Sequence, residues 1–237
     1  MLTDKKAVSD LLASTIEKNS SSNTKSQAFL KLKNQKEKHP CNFSSDNTED
    51  FNRLFNLNEL KTALLNCNDS APGHDGIHYQ LLKHLPESCL KIVLKVYNRI
   101  WTSGYFPTSW KKAVIIPIPK PGKDLTNPSS YRPIALTSCL CKVLEKMINH
   151  RLMWKLETEN LLAKEQCGFR KNHSTIDHLI RLESTVRNAF INKQHVVAIF
   201  FDLEKAYDTT WKSGILSDLH ELGFRGRLPL FLSLIHI

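Results

Sequence analysis

No stretch of the 237-residue sequence approaches the ~18–20 consecutive apolar residues of a membrane helix, which argues against an integral membrane protein. The N-terminus, Met1-Leu2-Thr3-Asp4-Lys5-Lys6, lacks the apolar core of a secretory signal, so an intracellular protein of the nucleus or cytoplasm is expected. Among the six cysteines, Cys41, Cys67, Cys89, Cys139, Cys141 and Cys167, there is no Cys-x-x-Cys pair. Cys139 and Cys141 have no matching histidine pair, which leaves neither a zinc-finger spacing nor a disulfide framework. They read as reduced thiols, mostly buried as small apolar side chains. There is no internal repeat. What is plentiful is positive charge: 33 Lys and Arg against 23 Asp and Glu give a net charge of +10. The excess lies around Lys111 to Arg187, and a polyanion such as nucleic acid or nucleotide is the natural partner.

The first fifty residues contain no glycine but eight lysines, eight serines and five asparagines. Val8, Leu11, Leu12 and Ile16 could share a helical face; Lys18 to Asp50 reads as a poorly ordered linker. From Phe51 the texture becomes that of a packed domain. Asn56 and Glu59 have capping-box spacing, with Leu60, Ala63 and Leu64 behind them. Ser70 to Gly76 is a turn, and helices are expected over 77–85 and 87–103, stopped by Gly104 and Pro107. The β-branched run Ala113 to Ile118, a Lys-Pro-Gly loop and Tyr131 to Leu136 predict a hairpin. Pro117 and Pro119 place its first strand at an edge or bulge. Ser138 could cap a long helix whose inner face is Leu140, Val143, Leu144, Met147, Ile148 and Leu152. Ser174 and Asp177 cap another helix carrying Leu179, Ile180, Val186 and Phe190. Val196 to Leu203 is the most strand-like run, and Leu216, Leu219 and Leu222 mark a last helix ended by Gly223. Helices with few strands point to an α+β or mixed α/β domain.

Val196 to Phe201 is apolar at successive positions, as in a strand covered on both faces, and it leads directly into Asp202. An acid there is costly to bury unless a cation or hydrogen-bond donors meet it. From the residues alone, an exposed carboxylate past the sheet edge and a functional one both remain open. The run Phe201-Asp202-Leu203-Glu204-Lys205-Ala206-Tyr207-Asp208 does not stand by itself. Upstream, in order, come Ser70-Ala71-Pro72-Gly73-His74-Asp75-Gly76; Tyr131-Arg132-Pro133-Ile134-Ala135-Leu136 with Lys142, Glu145 and Arg151; and Gln166-Cys167-Gly168-Phe169-Arg170 with Ser174-Thr175. These segments resemble, in the correct order, the motifs of reverse transcriptases of non-LTR retrotransposons, the jockey group above all. The resemblance spans about Leu57 to Ser233.

The resemblance implies a right-hand polymerase of the α+β class, with fingers and a truncated palm. Residues 1–50 would be a poorly ordered linker, 51–195 the fingers with the start of the palm, and 196–237 the motif A strand with the following helix. It implies an RNA-directed DNA polymerase: Mg²⁺-dependent nucleotidyl transfer from a deoxynucleoside triphosphate to a DNA primer on an RNA template. Asp202 would be the catalytic metal ligand and the Leu203 carbonyl a further oxygen for Mg²⁺. Tyr207 would exclude a 2′-hydroxyl by contact with the incoming sugar. Arg132, Lys120 and Lys123 would grip the triphosphate, Arg as a bidentate clamp and Lys as a point charge. His74, Asp75, Gln166, Gly168, Phe169 and Arg170 would touch template or shape the fingers. Lys111, Lys112, Lys142 and Lys146 are candidates to track an RNA backbone, or ordinary solvated lysines. The sequence contains no Asp-Asp pair, the family's second metal-binding motif, so a two-metal site would be incomplete and the chain inactive by itself. The alternative is a non-catalytic RNA- or DNA-binding remnant. The stretch after Ser233 departs from the family pattern and is expected to be foreign to it.

Overall fold

Asn56 and Glu59 form the capping box that the sequence predicts. The Glu59 N–H donates to Asn56 Oδ1 at 3.0 Å and the Asn56 N–H to Glu59 Oε2 at 2.8 Å. Helix α3 (Leu57–Leu65) starts there and buries Leu60, Ala63 and Leu64. It belongs to a computed structural model that describes residues 4–21, 25–203 and 206–235. Glu204 and Lys205 of the acidic motif, and His236 and Ile237 at the end, lie outside the described residues, as do Met1, Leu2 and Thr3. The chain divides into two units, Met1–Met153 with Lys205–Ile237, and Trp154–Glu204.

In the first unit, the expected N-terminal helix is α1 (Lys5–Ser20), capped by Asp4, whose Oδ2 accepts from the Ala7 N–H at 3.0 Å. The stretch read as a poorly ordered linker contains a second capped helix, α2 (Gln27–Glu37), started by Ser26. Its Phe29 ring meets Trp211 edge-on at 5.7 Å, and Phe43 beyond it is buried. A composition rich in Ser, Lys and Asn conceals these apolar anchors. After the Ser70–Gly76 turn, α4 (Tyr79–Lys83) is shorter than expected, and α5 (Glu87–Ser103) ends at Gly104 in the left-handed region. Strands β1 (Val114–Pro119) and β2 (Tyr131–Leu136) form an antiparallel hairpin running from Val114↔Leu136 to Pro119↔Tyr131. Pro117 faces Pro133, neither with an N–H to donate, which a two-stranded ribbon tolerates.

Helix α6 (Cys139–Thr158) buries Val143, Leu144, Met147 and Ile148 at the predicted spacing. Ser138 does not cap it through its side chain. Its carbonyl accepts from the Lys142 N–H at 3.1 Å, but its buried hydroxyl has no hydrogen-bond partner among the described residues. Around these elements the aromatic rings form a connected spine: Phe55–Trp101 at 5.0 Å, Trp101–Phe231 at 5.8 Å and Phe231–Phe106 at 5.6 Å. Helices α8 (Ala206–Thr209), α9 (Lys212–Glu221) and α10 (Arg227–Ile235) complete the unit. The helix α10 runs through Ser233, and its Leu228 and Phe231 are core residues.

Two polar side chains tie this core together. Asn52, fully buried, donates from Nδ2 to the Arg225 carbonyl at 2.8 Å and accepts at Oδ1 from the Leu228 N–H at 3.0 Å. Its carbonyl receives the Trp101 indole at 3.2 Å and the Arg227 guanidinium at 2.9 Å. Gly226, at φ +78°, sits so close that a Cβ there would collide with the Asn52 amide. Arg151, a residue of the family-like motif, has a structural role here. It grips Glu59 bidentately at 2.7 and 2.9 Å, donates to backbone carbonyls of residues 51, 53 and 54, and lies 4.1 Å over the Phe55 ring.

The second unit contains α7 (Thr175–Ile191), with the predicted capping box: the Ser174 N–H donates to Asp177 Oδ2 at 2.6 Å. Its expected inner face is not covered. Leu179, Ile180 and Phe190 are exposed, and Ala189 is the residue of α7 that is buried. The expected strand over Val196–Leu203 is absent: the backbone is irregular and its side chains face solvent. A strand needs a neighbour to receive its N–H and C=O groups. Among the described residues, the sheet is the β1–β2 ribbon alone.

Candidate functional site

The hairpin gathers its cations at one end. Arg132 lies across from Ile118, and Lys120 follows two residues later where the strand runs out. Arg132 is exposed. The Lys120 ammonium reaches back to the Ser129 carbonyl at 2.8 Å, and its N–H donates to the Ser130 carbonyl at 2.8 Å, so the loop base is closed. Lys123 stands exposed beside Gly122, whose φ is +66°. Asp124 accepts from the Thr126 hydroxyl at 2.7 Å and N–H at 2.9 Å. These bonds, the hydroxyl first, hold its carboxyl below the usual range. The result is an ordered basic loop able to meet phosphate oxygens.

The Ser70–Gly76 turn is pressed against the junction of β2 and α6. A Cβ on Gly73 would lie 2.6 Å from the Ser138 nitrogen and from the Thr137 carbonyl carbon. Only hydrogen fits there, which explains the glycine of the motif. The turn therefore presents exposed His74 and Asp75 beside the exit of the strand that carries Arg132; Asp75 accepts from the Ile77 N–H at 3.2 Å.

Within the second unit, Gln166, Gly168, Phe169 and Arg170 form one loop. Arg170 is committed to its internal bonds: Nε and Nη2 reach Glu157 at 2.9 and 2.6 Å, and Nη1 reaches the carbonyls of Ala163 and Gln166 at 3.1 and 3.2 Å. The Arg170 hydrogen bonds draw the Glu157 carboxyl below its ordinary range. Gln166 Nε2 contacts the Gly168 carbonyl at 3.4 Å. Phe169, at φ +61°, is 90% exposed. Arg170 thus shapes the loop and Phe169 is its outward-facing ring.

Asp202 and Leu203 are exposed in the irregular stretch of the second unit; Tyr207 belongs to α8 in the first. Tyr207 and Asp208 line a cleft of about 420 Å³ with Lys25, Lys33 and Lys212, and Lys25 Nζ donates to the Thr209 carbonyl at 2.8 Å. A larger cleft of about 840 Å³, lined by Leu32, Phe43, Trp211, Leu216 and Leu230, includes none of the predicted site residues. Among the described residues, Asp202 is not part of any convergent set of three metal-ligating side chains. Such a set does occur at Cys167, His173 and Asp177, whose donor atoms lie within 4.8 Å of one another. Sequence reasoning passed over it, because Cys-x₅-His-x₃-Asp is not a paired-ligand spacing. Among the lysines, Lys111 lies 5.9 Å from the Phe106 ring, and Lys146 donates to the Asn66 carbonyl.

Residues 118–235 match the family model described as reverse transcriptase (RNA-dependent DNA polymerase). The chain is 38% identical over 152 residues to the probable RNA-directed DNA polymerase from transposon BS of Drosophila melanogaster, covering 64% of this chain and 17% of that protein. It is 36% identical over 148 residues to the probable RNA-directed DNA polymerase from transposon X-element of the same species, covering 62% and 16%. Against the RNA-directed DNA polymerase from mobile element jockey, also of Drosophila melanogaster, identity is 36% over 146 residues, covering 62% and 16%. The matched region spans about one sixth of these relatives' length. With the ordered motifs, these matches place the chain in the reverse-transcriptase family, as a jockey-like segment of the RNA-directed DNA polymerases of non-LTR retrotransposons.

Proposed function

We propose that this chain is the nucleotide-gripping fingers and the first palm segment of an RNA-directed DNA polymerase. In the whole enzyme a primer 3′-hydroxyl oxygen bonds to the α-phosphorus of a deoxynucleoside triphosphate on an RNA template, and pyrophosphate leaves. The observation that carries this reading is one family match, from residue 118 to 235, running through Lys120, Arg132, Asp202 and Tyr207. The roles of these residues rest on the motif resemblance. Arg132 binds phosphate oxygens in two parallel hydrogen bonds, with Lys120 and Lys123 as added positive charge. Tyr207 occupies the space a ribose 2′-hydroxyl would need. His74, Asp75 and the Gln166–Arg170 loop lie along the template.

Mg²⁺ dependence and intracellular placement belong to the same reading. Mg²⁺ would supply positive charge against the phosphates, and Asp202 would offer one carboxylate to hold it. Among the described residues Asp202 belongs to no set of three converging ligand side chains, and the sequence has no Asp-Asp pair, so further acids from the longer polymerase would complete a two-metal site. In the longer polymerase, Val196–Leu203 pairs as a strand with further chain. No helix among the described residues is long and apolar enough to cross a membrane.

Two assays test the proposal. Primer extension on an RNA template by the 237-residue chain should equal a no-enzyme blank. In the full-length polymerase, Tyr207→Ala should leave deoxynucleotide use largely intact and raise ribonucleotide incorporation. A parallel loss of both activities, with a lowered melting temperature, would assign Tyr207 to folding alone.

A further inference from the structure

The Cys167–Asp177 segment brings a thiol, an imidazole and a carboxylate to one place. Two left-handed residues, Phe169 at φ +61° and Asn172 at φ +63°, fold the loop back so that His173 returns towards Cys167. The capping box then sets Asp177 one turn into α7, on the same side. All three donor atoms fall within 4.8 Å of one another. His173 Nδ1 is 4.0 Å from Asp177 Oδ2, too long for a hydrogen bond between them. Among the described residues, the hydrogen-bonding contact of the buried Cys167 sulfur is a long one, 3.7 Å to the Glu165 carbonyl.

We propose that Cys167, His173 and Asp177 bind a zinc-class divalent cation that staples this loop to the start of α7. Bond lengths of about 2.0–2.3 Å place tetrahedral ligand atoms roughly 3.3–3.8 Å apart. Side-chain rotations of about 1 Å close the observed spacing to that range. The donor set is right for zinc: a thiolate, a neutral imidazole and a carboxylate, with the fourth position left to water. Thiolate and carboxylate together cancel the charge of the ion. The nearby Arg170 does not oppose it, because its guanidinium is matched by the Glu157 carboxylate at 2.6 Å. Asp177 Oδ2, the oxygen facing His173, also takes the Ser174 N–H, and Asp177 can serve both partners because an ionised carboxylate has about four lone-pair sites on its two oxygens. The bound ion would fix both ends of the loop that displays Phe169. The site is distinct from Asp202 and stands whether or not the polymerase reading does.

Co²⁺ titration of the 237-residue chain, followed by thiolate-to-cobalt charge-transfer absorption, is the test. The band should saturate at a single equivalent and be bleached by Zn²⁺. Cys167→Ser should abolish it. Because Cys167 is buried and its variant could misfold, His173→Ala at an exposed position carries equal weight. With circular dichroism unchanged, it should weaken Co²⁺ by more than about 100-fold, since even partners outside the ligand set cost 10–100-fold. Asp177→Asn keeps a cap oxygen and should weaken binding without loss of helix. No band in the parent chain, an undiminished band in Cys167→Ser, or unchanged affinity in His173→Ala overturns the assignment.

Discussion

In the first unit Trp101, Phe224 and Phe231 are 2%, 0% and 2% exposed; in the second, Phe190, Phe200 and Phe201 are 75%, 84% and 91% exposed. Both units contain large apolar side chains, so composition does not separate them. What differs is whether a partner surface is present. Burying one such ring stabilises by about 1.5–3 kcal/mol, and the first unit collects that gain many times over along its aromatic spine. The second unit forgoes it over Val196–Leu203 among the described residues. Shape is therefore secured in one region, while Asp202, the acid proposed to serve chemistry, lies in the other.

Substitutions can sharpen that contrast. The largest stability effect is expected at Asn52, where Asn52→Ala strips partners from the Arg225 carbonyl and the Leu228 N–H inside the core. Urea unfolding should show a loss of about 3 kcal/mol, from two buried groups left unsatisfied at roughly 1–3 kcal/mol each. Next comes Arg151→Met, which removes the bidentate partner of Glu59 and one donor from each of three carbonyls. A loss of about 2 kcal/mol is expected, smaller because Glu59 is 28% exposed and water can replace part of the interaction. The smallest effect belongs to the second unit. Phe200→Ser with Phe201→Ser should move the stability of this chain by no more than about 0.5 kcal/mol and should reduce its aggregation. In the full-length polymerase the same pair should be strongly destabilising if, as proposed, the segment pairs there as a covered strand. Equal effects in both settings would remove the basis of the comparison.

Legibility in the sequence follows the same divide. The two capping boxes, the hairpin and the buried face of α6 were readable because local spacing and one buried face decide them. Val196–Leu203 also reads clearly as a strand, yet no sheet forms there, since a strand is a property of pairs. Asn52 and Arg151 gave no signal of their structural weight, because their partners lie about 175 and 92 residues away. Helix α2 was hidden by polar composition, although Ser26 and Phe29 were there to start and anchor it. For the site, the motif order located the hairpin cations and the Gly73 turn. The convergence of Cys167, His173 and Asp177 needed the left-handed bends at residues 169 and 172.

The central claim is that Asp202 serves chemistry rather than folding, and Asp202→Asn in the full-length polymerase tests it most directly. Shape and volume are nearly kept while the charge is removed. Turnover should fall by several orders of magnitude, in line with lost stabilisation of transition-state charge, while melting temperature and template affinity stay close to the parent's. Near-normal turnover, or a fall in activity that tracks a fall in melting temperature, would contradict the account.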